Sequence, residues 1–284
     1  MKLEYKPNQS ALHFGAVFNQ ESILSRPEPA RLTGTFYSGI NNYKTMQYLW
    51  LNKKYEKGNT SILLLNNGIQ APDSTVNFSQ TVGFYSKDDF GKLDLTTEFY
   101  YQFGKTDSGT VLSGLIAALF LNLDLGESAI GIGGDYLSGT SANETGSSSF
   151  TPLYGTNHKF YGLMDYFYVG NPSGDVGLID LYMKAKFKLS DKSALNFHVH
   201  QFSSQIDLKE QFTEAESNIL GTEIDLVYNL NIDKAVNLKI GYSHMLATSS
   251  MEFIKTGDSN TINNWAWAML TIKPKLFESK KDDN

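Results

Sequence analysis

No cysteine occurs in the chain. Disulfides, thiolate metal sites and cysteine nucleophiles are therefore excluded. Arginine is almost as scarce: Arg26 and Arg31 are the only two, and both fall in one loop-like stretch. Cationic work is left to lysine, which lacks arginine's planar, bidentate fork. Long apolar runs are missing as well. The longest, Leu115 to Leu121, is far short of the ~18 residues that a membrane-spanning helix requires. Positive charge is not in excess; the net charge is -6 at pH 7, and no basic patch marks a nucleic-acid partner. Met1-Lys2-Leu3-Glu4-Tyr5 leads straight into a strand pattern, without the apolar leader expected of an exported protein.

What the sequence does contain is aromatic and alternating. Hydrophobic residues make up 41% of its 284 positions, aromatics 13% and charged residues only 19%, a balance that favours folding over disorder. Between Leu178 and Leu189, Leu181, Met183, Ala185, Phe187 and Leu189 share one parity, and Asp180, Tyr182, Lys184, Lys186 and Lys188 share the other. A period of two places such sets on opposite faces of a β-sheet. The same holds for Leu93, Leu95, Phe99, Tyr101 and Phe103 against Asp94, Thr96, Glu98, Tyr100 and Gln102. It recurs for Leu195, Phe197 and Val199 against Asn196, His198 and His200. Ile224, Leu226, Tyr228 and Leu230 likewise oppose Glu223, Asp225 and Asn229, and Leu238, Ile240 and Tyr242 oppose Asn237, Lys239 and Ser243.

About thirteen strands are expected: 1–6, 10–18, 44–55, 59–66, 77–86, 92–104, 110–124, 128–138, 178–189, 193–203, 220–230, 236–247 and 263–276. Tight links such as Pro7-Asn8-Gln9, Glu56-Lys57-Gly58 and Leu125-Gly126-Glu127 alternate with longer ones at 19–43, 67–76, 139–177, 204–219 and 248–262. Turns on one rim and loops on the other is the plan of an outer-membrane barrel, with the turns on the periplasmic side. A soluble β-sandwich or barrel also alternates, with its apolar face as core. Strand length favours the membrane, since many runs reach the ~9–11 residues of a tilted spanning strand. Mid-strand charge at Glu98, Lys186 and Asp225 suits a wet lumen, because a dry core penalises unpaired ions heavily. The expected fold is thus an all-β, antiparallel, up-and-down transmembrane barrel over 1–277, with a polar tail at 278–284.

Four segments resemble a known family: KTMQYLWLNKKYEKGNTSILLLNNG (44–68), FTPLYGTNHKFYGLMDYFYVGN (150–171), LGTEIDLVYNLNIDKAVNLKIGYSHMLATSSMEFIK (220–255) and NNWAWAMLTIKPKLF (263–277). They are similar to alginate-export-type outer-membrane porins in the form common in Bacteroidetes. The resemblance implies a barrel of about eighteen strands that passes polyanionic sugars. Counted back from the last strand, the first runs downward and takes an even place, so about five strands would precede it. The chain then corresponds to the C-terminal two-thirds of such a porin, and by itself is expected to form no stable channel. That family carries an arginine-rich constriction, whereas the inward faces here bear lysines and acids.

Candidate site residues follow from the inward parity. Lys184, Lys186 and Lys188 form a lysine row that would focus an anionic solute or simply line a wet lumen; Lys239 joins that face. Asp180, Glu98, Asp135, Glu223 and Asp225 either pair with those lysines, building a charge-separated constriction, or neutralise lumen charge. His198 and His200 could act as a divalent-metal pair or as ordinary polar lumen residues. Tyr154, His158, Lys159 and Tyr161 lie in the 139–177 link, which either folds inward as a constriction or covers the surface. Trp265 and Trp267 could mark the lipid headgroup level or, by strict alternation, a lumen platform. No nucleophile elbow is present, although a serine near His158 or His244 would suit an outer-membrane hydrolase. The glycines Gly131, Gly133 and Gly134 open no helix and form no phosphate cradle. The expected function is passive passage or export of hydrophilic, anionic or saccharide solutes. No cofactor and no catalysis are expected. Partners would be outer-membrane lipid, the solute and any periplasmic export proteins.

Overall fold

The computed structural model describes residues 1–19, 43–71, 73–154, 158–167, 173–275 and 277. Arg26, Arg31 and the 278–284 tail lie outside the described residues. Among the described residues one antiparallel sheet contains every strand: β1 (Lys2–Tyr5), β2 (Ser10–Phe18), β3 (Thr45–Tyr55), β4 (Gly58–Gln70), β5 (Val76–Asp89), β6 (Leu93–Lys105), β7 (Val111–Asp124), β8 (Ser128–Leu137), β9 (Leu178–Lys188), β10 (Ser193–Ser203), β11 (Ile219–Asn231), β12 (Val236–Ala247) and β13 (Asn263–Ile272). The thirteen strands pair strictly in chain order, and β1 is not hydrogen-bonded to β13. Two short helices, α1 (Leu208–Gln211) and α2 (Ser249–Glu252), sit in the links β10–β11 and β12–β13.

The tight turns close by a shared device. The amide of Gly91 donates to Asp89 Oδ1 at 2.6 Å, and that of Gly126 to Asp124 Oδ1 at 2.8 Å. An aspartate that accepts from the backbone two residues on mimics a peptide turn. Both glycines take φ near +85° (87° and 85°), a region that penalises a Cβ.

The expected long link at 67–76 contracts to a hairpin at 71–75, because β4 and β5 run further than their composition suggests. Asn67 there is not a turn residue but lies within β4, next to Asn66. Asn66 Nδ2 donates to Gln47 Oε1, and Gln80 Nε2 donates to Asn66 Oδ1, each at 2.7 Å. An amide ladder of this kind extends the pairing of β3, β4 and β5 toward the loop rim. Elsewhere the expected strands and the observed ones differ by a residue or a few.

Polarity is inverted relative to a water-soluble domain. Leu181 and Ile132 are each 59% exposed, and Phe84, Phe99, Leu119, Leu226 and Ile240 are exposed on the same side. On the opposite face Asp180, Glu223 and Asp225 are fully buried, at 0% exposure, and Gln102 and Asn67 nearly so. Among the described residues no second sheet covers the apolar face, and the strands do not form a two-sheet sandwich. An outward apolar band and an inward polar face are what a lipid-facing barrel wall requires.

Candidate functional site

The inward face of β8 to β13 forms a continuous polar wall. Register places Lys184, His198, Asp225, Ser243 and Trp265 on one cross-strand row. One step toward the loop rim, Tyr182, His200 and Glu223 form the next row. Small residues make room for the large ones. A Cβ on Gly131 would lie 2.4 Å from the Phe120 ring, and one on Gly133 would lie 2.5 Å from the Tyr182 ring.

Each charged group in this wall has a defined setting. Asp180 holds His200 Nδ1 at 2.8 Å, and the imidazole is stacked between Tyr182 and Phe202 at 5.2 and 5.7 Å. Ser243 donates to Asp225 Oδ1 at 2.5 Å. The Lys184 ammonium rests over the Tyr182 ring at 4.5 Å and the Phe120 ring at 5.8 Å. Asp135 is buried beside this group. Lys188 sits at the tight-turn rim, where it pairs with Glu127 and Asp191 at 3.2 and 3.1 Å. Lys186 and Lys239 have no carboxylate within ion-pair range among the described residues, and both line a cavity of about 790 Å³ with Lys188, Lys192, Asp94 and Asn229. Of the two readings of Glu98, Asp135, Glu223 and Asp225, ion pairing with the inward lysines does not form among the described residues; Asp180 instead hydrogen-bonds a histidine, His200.

The link between β8 and β9 folds inward and crosses this wall. Gln102 on β6 clamps it by a reciprocal amide pair: its Nε2 donates to Thr151 O at 2.8 Å, and its Oε1 accepts from Thr151 N at 2.9 Å. The Tyr154 hydroxyl then donates to Asn67 Oδ1 on β4 at 2.5 Å. Further along, His158 stacks on Trp265 of β13 at 4.9 Å, with Trp267 5.8 Å beyond. The two tryptophans thus occupy the inner face. Glu223 Oε1 accepts from the amides of Leu163 and Met164 at 2.6 and 2.9 Å. Gly162, at φ +82°, passes so close to that carboxylate that a Cβ would lie 2.4 Å away. Tyr154, His158, Tyr161 and Asp165 also adopt left-handed backbone, which costs about 1–3 kcal/mol each and is tolerated where surrounding contacts dictate it.

Beneath this loop lies a cavity of about 650 Å³, lined among others by Glu98, Tyr100, Phe120, Lys159, Tyr161 and Lys184. Lys159 lies over the Phe160 ring at 4.8 Å. Burial raises the phenol of Tyr154 to about 12 and that of Tyr161 well above its usual value. Both therefore stay neutral donors at any physiological pH. The structure thus brings Tyr154, His158, Lys159 and Tyr161 into the lumen together with the wall residues. His158 and His244 are engaged by Asp165 and Asn264 respectively, and among the described residues no serine hydroxyl bonds a histidine.

Sequence alternation did not reveal how the loop is held. Its anchors Gln102 and Asn67 are lone polar residues. The stronger signal was apolar residues on the polar parity: Leu178, Phe202 and Met245 point inward at the loop-rim ends of their strands. Leu220 has the apolar parity and joins them through the register irregularity opposite Phe202 and Ser203. All four are buried in a cluster with Phe167, Val176, Ile206, Leu208 and Met251 from the loops. Apolar side chains on an otherwise wet face need a dry partner, and the folded loops supply it.

No family model matches the sequence, and no curated protein matches it. Solved structures do share the fold. The chain is similar to OccK10 (OpdN) of Pseudomonas aeruginosa, with 12% identity, a TM-score of 0.59, and coverage of 97% of this chain and 72% of that one. The outer membrane protein OprD of Pseudomonas aeruginosa aligns with 10% identity and a TM-score of 0.59, over 95% of this chain and 66% of OprD. A BenF-like porin from Pseudomonas fluorescens Pf-5 gives 10% identity and a TM-score of 0.57, over 94% and 64% of the two chains. The fold is that of the outer-membrane porin barrels.

Proposed function

We propose that the chain forms the wall of a passive outer-membrane channel for hydrophilic solutes, with saccharides, including anionic ones of the alginate type, as the preferred class. One observation carries this reading: apolar strands face outward, while a charged inner wall is crossed by a folded loop. Diffusion past such a loop needs no chemistry and no cofactor. Trp265, Trp267, His158, Tyr161 and Tyr182 offer ring faces on which a sugar can stack, and Asn, Gln and carboxylate groups alternate with them for its hydroxyls. The solvent-reaching lysines Lys186 and Lys239 at the tight-turn mouth favour anions there. In the outer-membrane orientation that mouth is periplasmic.

A sheet with unpaired edges is not tolerated in hydrocarbon, so conduction is expected only where β1 and β13 are themselves paired. The test therefore uses the protein in membranes of the cells that make it, fused into liposomes. Swelling in mono- and oligosaccharides, faster than in matched vesicles lacking the protein, is the expected result. A soluble monomer in plain buffer, or vesicles that swell no faster than the control, would overturn the proposal.

A further inference from the structure

We propose that His198, His200 and Asp225 form a binding site for a divalent transition-metal ion of the zinc class on the inner wall. One donor atom from each lies within 4.8 Å of the others. Bonds of 2.0–2.2 Å to zinc set tetrahedral donors about 3.4 Å apart, so modest side-chain rotation closes the set. Two imidazoles and a carboxylate suit zinc and its first-row neighbours better than magnesium or calcium, which prefer oxygen donors.

Three independent features of the wall point to a cation here. Asp225 Oδ2 and Glu223 Oε2 are buried without a hydrogen-bond partner, although their other oxygens are satisfied by Ser243 and by the loop amides. Buried carboxylate oxygens without donors are costly unless a charge compensates them. Asp180 bonds His200 Nδ1 at 2.8 Å, which leaves Nε2 as the donor presented to an ion. A carboxylate that orients a histidine in this way is the usual outer partner of a metal-bound imidazole. Finally, Asp135, Asp180, Glu223 and Asp225 cluster on this wall with no lysine in ion-pair contact among the described residues. Lys184, the adjacent ammonium, is held over the rings of Tyr182 and Phe120.

Access is provided from both sides. His198 lines the cavity that opens to the tight-turn mouth, and His200 lines the cavity under the loop. The ion sits between them, with its remaining coordination position available to water or to an oxygen-rich solute. Nothing in this site depends on the chain conducting.

The full chain, folded in detergent micelles and stripped with a chelator, is titrated with Zn²⁺ and separately with Co²⁺. One Zn²⁺ per chain and a visible Co²⁺ ligand-field band of a four- or five-coordinate site are expected. Asp180→Asn acts on a positioning residue and lowers the affinity about 10- to 100-fold. His198→Gln lowers it further; its imidazole makes no hydrogen bond among the described residues, so that variant keeps the fold. His13→Gln, on β2, changes neither stoichiometry nor affinity. Failure of the wild type to bind either ion would overturn the site, as would a His198→Gln variant that binds as the wild type does.

Discussion

Glu223 Oε1 accepts the backbone amides of both Leu163 and Met164, at 2.6 and 2.9 Å. A single carboxylate on β11 thereby fixes the inward turn of a loop that begins after β8. Each such hydrogen bond contributes about 0.5–1.5 kcal/mol net, and the pair together about 1–3 kcal/mol. Glu223→Ala is therefore expected to lower hydrogen-exchange protection at the Leu163 and Met164 amides at least tenfold, and to open 158–167 to protease. Glu223→Gln retains an acceptor and should lose less. Unchanged protection in the alanine variant would show that the loop is held by its other clamps alone.

The outward face makes a second prediction. Phe99 lies mid-strand on β6 and stacks on Phe84 at 6.4 Å. If that face meets lipid, Phe99→Arg costs about 2–4 kcal/mol in reversible folding into vesicles, as for charge near the bilayer midplane. Lys186→Ala, on the wet face, should stay within about 0.5 kcal/mol of wild type. Equal effects for the two would argue against lipid contact.

Lys255, in the link after α2, predicts a pH dependence. Burial lowers its ammonium from the ordinary 10.5 to about 8, beside the Phe167 ring at 5.2 Å. Between about pH 8 and 10.5 the unfolded chain still holds a proton that the folded chain has released, so stability rises with pH through that window. Partial contact with solvent trims the full effect to about 1–2 kcal/mol. Lys255→Met removes that part of the rise, which denaturant midpoints at about pH 7.5 and about pH 10.5 would reveal. A variant with the same slope as wild type would assign the rise to other groups.

Selectivity should follow the mouth. Exchanging Lys186 and Lys239 for glutamate turns the tight-turn cavity acidic. In a salt gradient across membranes holding the protein, the reversal potential is expected to move toward cation preference. No movement would place selectivity at the inner wall instead.

Much of this architecture was legible in residue parity. Lys184 and Lys186 fall on the wet face because every second residue of β9 must, and Trp265 and Trp267 follow the same rule in β13. Asn67 misled because an asparagine beside a glycine resembles a turn, whereas here it lies within β4 and accepts from Tyr154. The loop was the least legible element. Gln102, Glu223 and Asn67 belong to strands far apart in sequence, and no local pattern ties them to Thr151, Leu163 or Tyr154. Leu178, Phe202 and Met245, apolar on the wet parity, were the trace it left.

The anchor between Glu223 and Leu163 spans sixty residues of chain, and Tyr154 reaches back 87 residues to Asn67. Closing contacts so distant is entropically expensive until the strands between them are in place. The wall is therefore built before its crossing. Partly assembled protein would present a wider, unobstructed passage, and the narrowing would come as a final, separately timed event of folding.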